Sequence, residues 1–179
     1  MKKINYLISI LFCLNLLSGC AGYEPIFGSS NLQFKILEYE IKGNEEIGNK
    51  LYSKLNNLSK TQKEFSDFTP ISLDINSVKN KEEMSKDTSG KTIEYKITIS
   101  TSVEVKNYKT NNIILNQTFN SSILYRVQEQ YSETVKIENR STEELVQKIY
   151  REILVNLSEK ISKQWFLKVM KFKKIFLAY

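Results

Sequence analysis

The chain contains no histidine, and its six glycines, two prolines and two cysteines are thinly spread. Without an imidazole there is no histidine base for a catalytic triad, no His-Glu-x-x-His zinc site and no histidine pH switch. None of the glycines gathers into a phosphate-cradling loop. Paired carboxylates are present: Glu45-Glu46 and Glu143-Glu144 stand at expected helix starts, where acidic residues complement the helix dipole, and Glu82-Glu83 stands in a charged connector. Solvated and capping roles suit all three pairs. Neither an enzyme nor a metal or cofactor site is therefore expected.

What the sequence does have is a leader. Lys2-Lys3 precede the apolar stretch Ile4 to Leu17, which ends in Leu17-Ser18-Gly19-Cys20. A basic n-region, an apolar h-region and a small-residue cleavage site describe a secretory signal. A spanning helix needs about 20 apolar residues, and this stretch is shorter and broken by Asn5, Ser9 and Asn15. With a cysteine after the cut, the pattern resembles a bacterial lipobox, which implies acylation of Cys20 and loss of residues 1–19. Cys13 leaves with the signal and Cys20 is used by lipid, so no disulfide is expected.

Loss of Lys2 and Lys3 lowers the formal charge from +6 to +4, and Lys168, Lys171, Lys173 and Lys174 account for all of that remainder. The basic character belongs to the C-terminal tail, not to the domain. Nucleic acid is not an expected partner of an exported chain, whereas an anionic membrane or lipid surface is.

After a tether at 20–31 comes a strand over Gln33 to Ile41, with Phe34 and Ile36 on one face and Leu37, Tyr39 and Ile41 on the other. Apolar residues on both faces predict an inner position in a sheet. Asn44 caps a helix over Glu45 to Ser59, whose stripe is Ile47, Leu51, Leu55 and Leu58. Ile71, Leu73 and Ile75 alternate as a second strand. Asn80 to Gly90, dense in charge, predicts a mobile connector. Ile93 to Val105 and Ile113 to Val127 then alternate on either side of a turn at Lys109 to Asn112. This is a hairpin too long for typical strands, so a bulge or an overhang is expected. The other face of its return arm (Asn116, Thr118, Asn120, Ser122, Arg126) is polar.

Ser141-Thr142-Glu143-Glu144 matches a capping box and predicts the start of a second helix, with Val146, Ile149, Tyr150, Ile153, Leu157 and Ile161 inward. The fold class is α+β: a two-layer sandwich, two helices on one face of a four-stranded, mostly antiparallel sheet with a long hairpin. Residues 32–167 form the single domain and 168–179 a basic apolar tail. That tail suits either a membrane interface or a continuation of the second helix.

Cys20-Ala21-Gly22-Tyr23-Glu24-Pro25-Ile26-Phe27-Gly28 pairs a lipobox cysteine with an aromatic-x-Pro-hydrophobic-aromatic-Gly run. It resembles the start of the LptE family, lipopolysaccharide-assembly lipoproteins of Gram-negative outer membranes, and the element order is similar too. The resemblance implies a non-catalytic plug inside the LptD β-barrel, in contact with lipopolysaccharide and anchored by lipid at the periplasmic face of the outer membrane. Ala21, where aspartate would favour inner-membrane retention, agrees with that location. Lipopolysaccharide is polyanionic, so Lys106 and Lys109 at the hairpin turn and Arg126 on the polar face are the candidate contacts. Solvated turn lysines that discourage edge pairing are the other reading of these positions. Two other roles fit a tethered α+β domain: a regulator of an envelope enzyme such as a peptidoglycan synthase, and an auxiliary lipoprotein of a lipid-trafficking ABC system. The short tether, spanning at most about 40 Å, favours the plug over the regulator.

Overall fold

The computed structural model describes residues 32–61 and 68–176, with side chains up to 60 and from 68 to 163. Cys20, the signal, the 20–31 tether and the tail side chains lie outside the described residues. The elements are β1 (Phe34–Gly43), α1 (Glu45–Thr61), β2 (Thr69–Lys86), β3 (Thr92–Asn107), β4 (Ile113–Arg126) and α2 (Tyr131–Phe176). The sheet order is β1-β2-β3-β4, with β1 and β2 parallel and the other neighbours antiparallel. Both helices cover one face, α1 over β1 and β2, and α2 over β4 and β3. This is the expected α+β sandwich.

The core lies between that face and the helices. Ile71, Leu73 and Ile75 of β2 and Ile97, Ile99, Val103 and Val105 of β3 meet Ile47, Leu51 and Leu55 of α1 and Val146, Ile149, Ile153 and Leu157 of α2, all buried. The helical stripes and the period-two alternation therefore point as their spacing requires. One polar pair interrupts the strands: Ser77 and Thr101, opposite each other in register, share a buried hydroxyl hydrogen bond of 3.0 Å. Asn44 caps α1, its Oδ1 accepting from the Ile47 amide at 3.1 Å.

β1 is an edge strand, not an inner one. The pairing skips a residue between Ile36 and Glu38, which makes Leu37 the extra residue of a bulge. Its effect is to change phase. Ile36, Tyr39 and Ile41 all pair with the inward residues Ile71, Leu73 and Ile75, and Tyr39 stacks on Tyr52 of α1 at 3.9 Å. The two apolar faces in the sequence are one face, rejoined across the bulge. Lys35, Glu38, Glu40 and Lys42 take the other side.

The expected connector at 80–90 is mostly strand. β2 stays paired with β3 to Lys86, with register shifts on either side of Ser85, leaving only a tight turn in which Asp87 Oδ1 accepts from the Ser89 and Lys91 amides at 2.9 Å each. The second helix also starts ten residues before Ser141. Ser141 and Thr142 are buried within it, and Thr142 Oγ1 donates to the Glu138 carbonyl one turn back at 2.9 Å, the bond of a helix interior. The apparent capping box is not a cap, and Glu143-Glu144 is not at a helix start. The expected hairpin bulge is present, between Val105 and Lys106, and it lets both Ile114 and Leu115 turn inward. The backbone of 168–176 continues α2.

Candidate partner-binding face

The helices leave the second face of the sheet uncovered. The residues on it follow from the same alternation that builds the core: wherever β3 sends Ile97, Ile99, Thr101 and Val103 inward, it sends Thr98, Ser100 and Ser102 outward. Register then assembles rows across three strands. Asn76, Ser102 and Thr118 form one, Val78, Ser100 and Asn120 the next, and Asn80, Thr98 and Ser122 a third. β4's outward residues Asn116, Thr118, Asn120 and Ser122 are all exposed. Hydroxyls and carboxamides both donate and accept, so these three rows, Val78 apart, offer neutral hydrogen-bonding groups of either kind, with Asp74 and Glu104 in the row on one side and Glu82 and Lys96 in the row on the other. The result is an open polar band and not a cleft.

The three basic residues singled out in the sequence do not share a site. Lys106 is ion-paired with Glu104, whose other oxygen accepts from Asn116 at 3.0 Å. The Glu104 carboxylate holds the Lys106 ammonium above the usual lysine range. Lys109 lies in the β3–β4 turn, where Asn107 Oδ1 accepts from the backbone amides of Lys109 and Thr110 at 3.0 Å each, leaving its side chain exposed. Arg126 lies at the opposite end of β4, opposite Glu94. At about 3.3 Å per residue, the 13 steps from Ile113, the partner of Lys106, to Arg126 span roughly 43 Å. No single lipid headgroup reaches both ends.

A cluster that the sequence reading missed sits under the far end of the sheet. Glu138, in the early turns of α2, accepts from Lys81 Nζ at 2.7 Å and from the Tyr125 hydroxyl at 2.9 Å, and lies 3.5 Å from Lys79 Nζ. The Lys81 ammonium stands 4.3 Å from the Tyr95 ring centroid, and Tyr95 stacks on Tyr125. Continuing the alternation of Ile71, Leu73, Ile75 and Ser77 onto Lys79 and Lys81 was the available signal: these lysines occupy inward positions. Burial pushes the Glu138 carboxyl up, but the hydrogen bonds from Lys81 and Tyr125 and the charges of Lys81 and Lys79 outweigh it, so the group titrates below the usual glutamate range. A carboxyl depressed in the folded state stabilises fully above its unfolded pKa and loses that contribution as pH falls through its folded pKa. Thermal melts should show this loss on acidification, and Glu138→Gln should flatten it. At neutral pH the same substitution should lower Tm by about 3–5 °C, allowing about 1 kcal/mol for a partly exposed cluster.

No protein-family model matches the chain, nor does any curated protein. Solved structures do. A putative lipoprotein from Caulobacter crescentus is 11% identical with a TM-score of 0.50, the match covering 72% of this chain and 91% of that one. A minor lipoprotein from Acinetobacter baumannii is 13% identical with a TM-score of 0.51, covering 72% and 93%. An uncharacterized lipoprotein B from Nitrosomonas europaea is 14% identical with a TM-score of 0.52, covering 74% and 88%. At such identities the likeness lies in the fold: one α+β sandwich, nearly the whole of each of those chains.

Proposed function

We propose that this chain is a lipid-anchored protein of the bacterial envelope, and that it acts without catalysis as the plug and assembly subunit of an LptD-type β-barrel in lipopolysaccharide transport. The observation that carries the reading is the neutral, hydrogen-bonding band across β2, β3 and β4 that the described residues leave uncovered. Large outer-membrane barrels present a polar lumen, and a plug must meet it with polar groups along its length. Support comes also from the lipobox and the Tyr23 to Gly28 run, and from the description of the structurally similar proteins as lipoproteins. Among the described residues no helix is long and apolar enough to cross a membrane, which agrees with attachment through lipid. Arg126, at the end away from the tether, is the basic residue placed to meet lipopolysaccharide phosphates moving toward the outer leaflet.

The test is gentle detergent co-purification from native envelope through a tag after Tyr179. A stoichiometric outer-membrane barrel is expected. Ser100→Glu with Asn120→Glu, which places two charges side by side on the polar face, should cut barrel recovery at least about tenfold, since unpaired charges at an interface cost several kcal/mol. Lys148→Glu, on the exposed side of α2, should leave recovery unchanged. Recovery of a peptidoglycan synthase or an ABC permease instead of a barrel would overturn the plug reading.

A further inference from the structure

The end of the sheet from which the chain runs back toward Cys20 has a composition of its own. β1 and β2 start there together, Phe34 opposite Thr69, and the β3–β4 turn folds over the same end, the Tyr108 amide donating to the Pro70 carbonyl at 2.9 Å. Three large apolar side chains stand exposed on it: Phe68 at 46%, Tyr108 at 46% and Ile113 at 55%. Cations accompany them. Lys35 Nζ lies 5.4 Å from the Phe68 ring centroid, and Lys109 is exposed beside Tyr108. Lys106, also at this end, is engaged by Glu104 and is not counted. Aromatic rings with apolar bodies and polar tips, interleaved with lysines whose stems lie along apolar surface, are the groups that settle at a bilayer interface.

The opposite end also exposes apolar side chains, Met84, Ile93, Leu124 and Tyr131, so composition alone does not choose between the two. Tether length does. The twelve residues Cys20 to Asn31 reach at most about 40 Å, whereas β2 from Thr69 to Lys86 extends roughly 56 Å. With Cys20 in a leaflet, the far end cannot stand on that leaflet with the tether end raised above it. We propose that the tether end docks on the anionic phospholipid surface holding the anchor, through Phe68, Tyr108, Ile113, Lys35 and Lys109. The sheet then stands along the membrane normal with its polar face turned sideways. The inference rests on acylation of Cys20 and describes the anchored protein without its barrel, since inside a lumen the barrel wall would separate this end from phospholipid.

The test uses the full-length lipidated protein in vesicles of phosphatidylglycerol and phosphatidylethanolamine. A nitroxide is attached at Thr110→Cys, which leaves both docking lysines in place, or, at the far turn, at Thr88→Cys. Both sites are exposed turn positions, and the Cys20 thiol is occupied by lipid, so each variant carries one label. Vesicle flotation reads the anchor and collision with oxygen against a nickel chelate reads depth. The expected result is flotation of both, headgroup-level depth for the label at 110, and full water exposure at 88. Tyr108→Ser with Ile113→Ser should return the 110 label to water. Lys35→Gln should weaken docking about fivefold, the worth of one lysine near an anionic surface. Flotation with both labels equally wet overturns the docking while leaving the anchor intact. Equal depth at 110 on pure phosphatidylcholine overturns the anionic preference, and failure to float overturns the anchor and the proposal together.

Discussion

Gly43→Ala should lower stability by about 3–4 kcal/mol, a large share of the 5–15 kcal/mol available to a domain. Gly43 has φ of +73°, a conformation that costs a residue with a Cβ roughly 1–2 kcal/mol. The space is worse than the angle. A Cβ there would stand 2.2 Å from the Ser77 carbonyl oxygen and 2.8 Å from Asn76 Oδ1, and backbone does not step aside as a flexible side chain does. The same Ser77 oxygen accepts from the Asn44 amide at 2.6 Å, and Asn44 is the cap of α1. Moving Ser77 therefore loosens both the end of the β1–β2 ladder and the helix start, and a lost cap alone costs about 1 kcal/mol. Gly90→Ala is the control: φ is +85° but nothing lies within 4 Å of its Cβ, so only the backbone cost of roughly 1–2 kcal/mol applies. Urea denaturation of the two variants separates angle from contact. Equal losses at both positions would refute the coupling at Ser77.

The layers were legible in the sequence because burial leaves a period. Ile97 to Val105 alternate with Thr101 as the one polar residue in the inward series, and Ile47, Leu51 and Leu55 recur every four residues, so strand, helix and inward face followed from spacing alone. The polar face was legible for the same reason, as the complement of the core on β4. Where the reading failed, a tertiary contact had altered a local signal. Leu37 shifts the phase of β1 by one residue, and an inserted residue makes one apolar face look like two. Lys81 falls in the stretch read as a solvated connector and Lys79 stands just before it, yet both occupy inward positions, where Glu138, more than fifty residues later, supplies the charge that makes them tolerable. Ser141 and Thr142 imitate a cap because the capping box is a local pattern, and the burial that keeps them inside a helix is not. The tether end was illegible as a unit: Lys35 meets Phe68 only through the parallel pairing of β1 with β2, and Tyr108 joins them through its amide's bond to the Pro70 carbonyl.

A mature protein made without acyl chains should lose stable attachment to the lipid bilayer, and the reason is a comparison of magnitudes. Each buried methylene of an acyl chain is worth about 0.8 kcal/mol, and two chains suffice for stable attachment. Against this, a lysine at an anionic surface contributes roughly 1 kcal/mol. Lys35 and Lys109 together give about 2 kcal/mol, and the half-exposed rings of Phe68 and Tyr108 with Ile113 add a few more when covered. After the cost of association, a sum of that size leaves a contact that exchanges rapidly and does not anchor. The lipid holds the protein, and the tether end orients it. Cys20→Ala is a different experiment: it removes the residue that a lipobox requires, so the precursor should keep residues 1–19, stay at the membrane through that uncleaved apolar segment and take up no labelled palmitate. Replacing residues 1–20 by a cleavable, non-lipid signal should give a correctly folded domain that no longer floats with barrel-free vesicles. Quantitative flotation of that domain would mean that the tether end, rather than the acyl chains, supplies the dominant attachment to lipid.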